Sequence, residues 1–293
     1  ILDESHSITE LRLAKLQEMY SNKYIYLSAT VPYDKKVLLN KLAKFTTVKF
    51  TLTDAINAEI LPTGNIYIVN RFLDDTVPNL IYKKHYKKYK EEKTVQFKDR
   101  FLYKNVNLNI ICTEKQYYTI LDENVSYWKN LYMMYSQDYQ RIQWLLAGTN
   151  RKTWVNNLKT DTLSKLLEKL GDKRVIVFAY TKDQLDELNV TEYVYSKNTK
   201  KVNQEVLDKF NNGETNKLFN LKILNEGMNL SNIDAGIIVG IDSKPLSSIQ
   251  RMGRVWRSVS PEVYFIRVPF TRDDEYFTQL REEVNQDFII HED

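Results

Sequence analysis

The apolar residues of this chain fall into two kinds of run. "RVIVFAY", "EYVYS", "KLFNLKIL", "AGIIVGI" and "VYFIRV" are short apolar, β-branched or aromatic stretches in the last half of the sequence. Between them "TKDQLDELN", "NQEVLDKFNNG" and "LSSIQRMGRVWR" space their apolar residues three and four apart, as helices do, and Gly213 closes the second. Continuous apolar strands alternating with helices predict a parallel sheet covered on both faces.

The first block, residues 1–72, shows the same alternation. Leu11 to Tyr20 has helical spacing, and "KYIYLSATV" reads as a buried strand ending in a small-residue loop. "DKKVLLNKLAKF" and "DAINAEILP" are short helices, the second stopped by Pro62, and "GNIYIVNRF" is a strand leading out of the block. Residues 73–155 are rich in Lys and Tyr and hold no glycine before Gly148. "EKQYYTILDENVSYWKNLYMMYSQ" and the later "TLSKLLEKL" look helical, whereas "AGTNRK" is the most loop-like stretch. The expectation is a mostly helical insertion between two α/β parts, with residues 156–293 as the second part.

Composition narrows the class. Of 293 residues, 43% are hydrophobic and 27% charged, which excludes a wholly disordered chain. The net charge of +4 permits a nucleic-acid partner without demanding one, but the excess is local. Between Ile81 and Lys104 nine basic residues face three acidic ones. The one cysteine, Cys112, rules out an intrachain disulfide, and with His6, His85 and His291 it makes no zinc spacing. No apolar run reaches the ~18 residues of a membrane span. A reducing, intracellular setting is expected, the cytoplasm of a bacterial cell. The abundance of Lys, Asn, Tyr and Ile points to an AT-rich genome, a phage or a low-GC bacterium.

Three short stretches carry chemistry. In "DESH", residues 3–6, two adjacent carboxylates can divide the work of holding a hydrated magnesium ion and orienting a water, although such pairs are also common on solvated loops. "SAT", residues 28–30, puts small hydroxyl residues at the end of the next strand, where an ordinary turn is the plain alternative. "QRMGRVWR", residues 250–257, places Arg251, Arg254 and Arg257 three apart along one side of a helix, with Gly253 allowing close backbone approach. Guanidinium forks in such a row suit phosphates.

Together these stretches resemble superfamily 2 helicases, the DEAD/DEAH-like nucleic-acid motors. "LDESH" looks like their motif II, "LSAT" motif III, "VIVFAYT" motif IV, "LNEGMNLSNID" motif V and "QRMGRVWR" motif VI, in that order. "DAINAEILP" resembles a segment that follows motif III in phage and restriction-type members. The resemblance implies two RecA-like domains with ATP in the cleft between them. Asp3 would hold Mg2+ through water, and Glu4 would position the attacking water. His6 would contact nucleotide or partner domain, and Ser28 and Thr30 would couple hydrolysis to domain movement. Arg254 and Arg257 would act as arginine fingers on the γ-phosphate, with Gln250 positioning them and Arg251 beside them at the nucleotide. Gly227 and Asn229 match motif V positions near the ribose and the coupling path. Thr181 matches the motif IV threonine and would bind the nucleic-acid backbone. Leu221 stands where the family often has a Thr or Ser early in motif V, so Asn220 or Lys222 would have to make that phosphate contact.

Such a motor also needs a phosphate loop of the type G-x-x-x-x-G-K-[ST], ahead of motif II. All eight glycines lie at Gly64 or beyond, and none sits in that pattern. The chain is therefore expected to start inside the first RecA-like domain, which would lack its phosphate-loop half. That segment would come in cis or from a partner, and the isolated chain would be inactive as an ATPase. The activity implied is an ATP-dependent helicase or translocase on DNA, ahead of RNA. A duplex translocase without strand separation and a non-catalytic, nucleic-acid-binding remnant are the alternatives. "YKKHYKKYK" either tracks a nucleic-acid backbone or is a solvated helix face. Trp128, Trp144 and Trp154 are expected to pack rather than stack on bases, and Trp256 to pack the motif VI helix.

Overall fold

The computed structural model describes residues 2, 5, 8–19, 24–27, 33–48, 52–85, 88–221, 230, 232–243, 245–256, 258–282 and 289–292. The first block holds three helices, α1 (Glu10–Glu18), α2 (Tyr33–Asn40) and α3 (Leu52–Asn57). The Thr9 hydroxyl accepts from the Arg12 N–H and caps α1. Leu2 and Tyr26 form a parallel bridge, and Ser5 N–H and hydroxyl both donate to the Leu27 carbonyl. Leu2 and Ser5 therefore lie beside Tyr26 and Leu27.

β1 (Asn65–Asn70) follows, and then the insertion. It comprises β2 (Leu80–Lys84), β3 (Glu92–Gln96), β4 (Asn107–Cys112), α4 (Glu114–Tyr135) and α5 (Asp138–Asn157). The rest alternates as expected: α6 (Thr160–Leu170), β5 (Val175–Ala179), α7 (Lys182–Glu187), β6 (Val194–Tyr195), α8 (Lys200–Asn211), β7 (Lys217–Leu221), β8 (Ala235–Ile238), α9 (Pro245–Val255), β9 (Glu262–Arg267), α10 (Arg272–Arg281) and β10 (Ile289–Glu292).

Seven strands make one parallel sheet in the order β10-β1-β9-β8-β5-β7-β6. Its two faces are cleanly divided. Ile66, Ile68, Ile176, Phe178, Val263 and Phe265 point to the side covered by α8, α9 and α10. Val175, Val177, Ile237, Tyr264 and Ile266 point to the side covered by α6, whose Leu163, Leu166 and Leu170 are buried there. Strands buried on both faces must be apolar at every position, which is why their sequences are unbroken runs.

Two expectations need correction. The strand "GNIYIVN" does not stay with the first block: β1 pairs with β9 in register, Ile66 beside Val263 and Ile68 beside Phe265. The same alternation that suggested a strand there puts Ile66 and Ile68 into the core of the second part. The insertion is also less helical than its sequence suggested. β2, β4 and β3 form a separate three-stranded sheet, so "YKKHYKKYK" begins in a strand. "AGTNRK" lies inside α5, where a β-carbon on Gly148 would meet nothing within 4 Å.

α4 and α5 form an antiparallel hairpin, turned at Ser136 in the left-handed region (φ 50°). Tyr117 stacks on Trp154 at 4.9 Å, Tyr132 on Trp144 at 5.9 Å, and Trp128 meets Tyr139 edge-on at 5.8 Å. All three tryptophans of the insertion thus pack between the two helices. At the base of the hairpin Arg71 grips Glu114 with both guanidinium nitrogens, and Arg151 pairs with Asp122. Lys159, at the junction of α5 and α6, is wholly buried. Its ammonium lies 2.5 Å from Asp273, 2.6 Å from the Val239 carbonyl and 3.1 Å from Asn156 Oδ1. Burial pushes its pKa down, against the opposing pull of Asp273. No helix among the described residues is long and apolar enough to cross a membrane.

Two stability predictions follow from this packing. A β-carbon at Gly236 would lie 2.3 Å from Val255 Cγ2, so Gly236→Ala should cost about 1–3 kcal/mol in urea unfolding, with part recovered when Val255→Ala is added. Lys159→Met should cost about 3–5 kcal/mol by leaving Asp273 buried and charged, and Asp273→Asn in the same chain should restore most of it.

Candidate nucleotide and nucleic-acid site

The carboxyl ends of the strands in an open parallel sheet are where the chain turns outward and where ligands of such folds bind. Here that edge is formed by Tyr180 after β5, Gly240 to Ser243 after β8, and Val268 to Thr271 after β9. α9 starts from it, with Pro245 in its first turn, where a missing N–H costs nothing. One side of α9 buries Met252 and Val255, with Trp256 following, against β8 and β9. The Trp256 indole N–H donates to the Pro62 carbonyl at 3.1 Å, tying the end of this helix to the segment that leads into β1.

The other positions on α9 carry the charged groups. Gln250 and Arg251 are half-buried, Gly253 is exposed and Arg254 is buried, engaged with a partner. Arg251 donates to the Gly240 carbonyl at 2.9 Å and to Asp242 at 3.1 Å. Asp242 is a hub. It also accepts from Lys152 of α5 at 2.6 Å and from the Ser247 hydroxyl at 2.7 Å. Burial raises the Asp242 pKa, but Lys152 and Arg251 outweigh it and hold the carboxyl below its usual value. Burial lowers the Arg251 pKa despite Asp242.

Tyr180 lies over Gly240, where a β-carbon would come within 2.4 Å of its ring. Burial, and then the Asp242 charge, push its hydroxyl up to about 12, so it stays a phenol and a donor. Lys152 sits 5.0 Å from the Tyr180 ring centre and 5.7 Å from that of Tyr276. Beside this cluster a cleft of about 570 Å³ opens between the α4–α5 hairpin and the carboxyl edge. Lys129, Arg151, Lys152 and Arg272 supply its positive charge, and Trp144 and Tyr180 supply flat apolar surface.

Of the residues expected at the site, α9 brings together Gln250, Arg251 and Arg254. Thr181 lies at the same edge, but its hydroxyl is occupied: it caps α7 by accepting from Gln184 N–H and donates to Asn157 Oδ1 at 2.6 Å. Asn220 is buried in β7, between β5 and β6, and is also engaged. Asp3, Glu4, His6, Ser28, Thr30, Lys222, Gly227, Asn229 and Arg257 lie outside the described residues. Among the described residues no three of His, Cys, Asp and Glu gather to hold a metal ion. Sequence reasoning missed Asp242 and Lys152. Asp242 ends the apolar run "AGIIVGID", the same strand-then-acid signal that singled out "LDES". Lys152 lay in a stretch taken for a loop.

Comparison with known proteins agrees with this geometry. Residues 158–259, about a third of the chain, match the helicase conserved C-terminal domain. A search of curated proteins returns no match. Among solved structures, S. cerevisiae Dbp5 bound to RNA and ADP BeF3 superposes with a TM-score of 0.54 over 99% of this chain, at 11% identity. This chain spans 58% of that one. The DEAD box protein of Methanococcus jannaschii (TM-score 0.40, 16% identity) covers 47% of this chain and 39% of its own. For the Pyrococcus furiosus Hef helicase domain (0.33, 20% identity) the shares are 56% and 38%. At these identities the likeness is one of fold. Residues 158–259 match the helicase conserved C-terminal domain, and the chain as a whole shares the fold of the Dbp5 structure.

Proposed function

We propose that this chain is part of an ATP-driven motor that moves along nucleic acid, with ATP bound between the first block and the helicase C-terminal domain. The observation that carries the proposal is the seating of α9, which holds Arg251 against Gly240 and Asp242 at the carboxyl edge of the sheet and carries Arg254 about one turn further on, inside the matched domain. That the Dbp5 structure is bound to RNA and a nucleotide analogue supports both ligands. In domain terms β1 joins residues 156–293 as the second RecA-like part, and the insertion occupies the stretch between them.

The motif resemblance supports the division of labour. Asp3 would hold Mg2+, which would neutralise phosphate charge there, and Glu4 would orient the attacking water. Arg254 and Arg257 stabilise the charge that develops on the γ-phosphate, and Gln250 positions them. His6, Ser28, Thr30, Gly227 and Asn229 pass the resulting closure between domains. Lys222 is the proposed contact to the nucleic-acid backbone; the Thr181 hydroxyl is held by Gln184 and Asn157, and Asn220 is buried between β5 and β6, so neither is placed to make one. Arg251 has a different task. Its bonds to Gly240 and Asp242 fix the pitch of α9, and Asp242 passes that constraint to Lys152 of the insertion. Nucleotide-driven movement of α9 would thus be felt in the α4–α5 hairpin.

In the full-length gene product, Arg254→Ala should lower nucleic-acid-stimulated ATP turnover about a thousand-fold or more while far-UV circular dichroism stays unchanged. Normal turnover would remove the finger assignment. DNA and RNA strands tested side by side identify the substrate, with DNA expected to stimulate more. The Asp242 link exists only while the carboxyl is ionised. Its pKa is depressed in the fold, so the stability it adds is present above the ordinary carboxylate value near ~4 and is lost as pH falls through the lower folded value. Asp242→Asn should therefore be less stable than the parent by about 1–3 kcal/mol at pH 7, and the gap should shrink in urea titrations at pH 3 and below.

A further inference from the structure

The small sheet of the insertion holds more positive charge than its own contacts use. Lys83, Lys88, Lys90, Lys98 and Lys104 are exposed, and among the described residues none of the five has an acidic partner. Of the three acids nearby, Glu91 pairs with Lys93 at 3.2 Å, Glu92 accepts from Asn109, and Asp99 makes no ion pair with any of the five lysines. Arg100 is held by Glu123 at 2.8 Å and lies 3.6 Å over the Phe97 ring. Clustered like charges raise the energy of a folded module unless a polyanion neutralises them.

The shape of the module fits that partner. One face of the sheet packs Val95, Leu108 and Ile110 against Ile120 of α4. The other face is open. It carries Lys83, Asn109 and Thr94 in one register row and Ile81, Ile111 and Gln96 in the next. Asn109 on that face donates its amide N–H to Glu92. The turn after β3 lifts Phe101 and Leu102 into solvent, 71% and 75% exposed, beside Tyr103 with Lys93 5.0 Å from its ring centre. Exposed ammonium groups and an exposed aromatic ring are what phosphates and base faces require. A lipid surface would want a continuous apolar face, and with Glu92 and Asn107 in a third row the open face is polar in two of its three rows.

We propose that the open face of this sheet, with the turn at residues 97–106, is a second nucleic-acid contact. Lysines hold the phosphodiester backbone there, and Phe101 stacks on an unpaired base. The inference rests on the reading that the protein acts on nucleic acid, and it adds a grip outside the helicase domain.

The test measures binding of a fluorescent 30-nucleotide single strand to the 293-residue chain between 50 and 300 mM salt. The variants are Lys88→Gln/Lys90→Gln/Lys98→Gln/Lys104→Gln and Phe101→Ala. Both change exposed side chains, and unchanged thermal melts confirm that they fold. The four-lysine variant should lower the slope of log K against log salt by about 2–3, since each neutralised phosphate contributes roughly 0.7 on a single strand. Phe101→Ala should weaken single-strand binding roughly ten-fold with its salt slope unchanged. If the parent binds and the lysine variant keeps the same slope, this contact is overturned while the motor reading stands. No binding by the parent, even at 50 mM salt, overturns both. If the lysine variant instead loses co-sedimentation with phosphatidylserine vesicles and keeps its affinity for the strand, the surface is membrane-directed and the proposal fails.

Discussion

A single buried cation sets where the two halves of this architecture meet. The Lys159 ammonium has left water entirely, a transfer that is tolerated only when a charge and further acceptors stand in for the lost solvent. Asp273, the Val239 carbonyl and Asn156 are those acceptors, and they come from three separate places: the first turn of α10, the end of β8 and the last turn of α5. The chain returning from the insertion is thus pinned to the carboxyl edge of the sheet. From that point α6 can only run back along the face it covers. The α4–α5 hairpin can only stand over the edge where α9 begins.

That placement brings the insertion within reach of α9. Lys152 is about two helical turns before Lys159 on the same segment, so fixing one locates the other. It reaches Asp242, and Asp242 reaches Arg251. Two guanidinium or ammonium groups around one carboxylate, with a phenol held neutral beside them, form a site whose charges are oriented before any ligand arrives. The energy of such a cluster depends on all its members together. The insertion is therefore coupled to the arginine helix by electrostatics as well as by packing.

How much of this was legible in sequence follows from what each signal encodes. The runs at β5, β7, β8 and β9 were readable because burial on both faces leaves few polar positions, Asn220 in β7 being a buried exception. β1 was readable as a strand but not as a member of this sheet, because local alternation says nothing about the partner almost two hundred residues away. β2 and β3 were hidden by their exposed, Lys- and Glu-bearing edges. α5 was hidden by Gly148 and Asn150, whose cost of about 1 kcal/mol or less each is outweighed by the stacked Trp and Tyr pairs of the hairpin. At the site, the arginine row of α9 declared itself, since a three-residue period of guanidinium groups has little structural purpose. Asp242 and Lys152 did not, because each acts through a neighbour distant in sequence.

The parallel pairing of β1 has a cost in time. Both its neighbours, β9 and β10, are made after residue 261. At about 5–20 residues per second, the ribosome delivers them roughly 10–40 s after Ile66 and Ile68 have left the tunnel. For that interval a finished apolar strand waits with both edges open, while the insertion beyond it can already fold by local contacts. The nascent chain therefore presents its most aggregation-prone segment before the domain that shelters it exists. Anything that slows synthesis beyond the insertion lengthens the exposure of that strand.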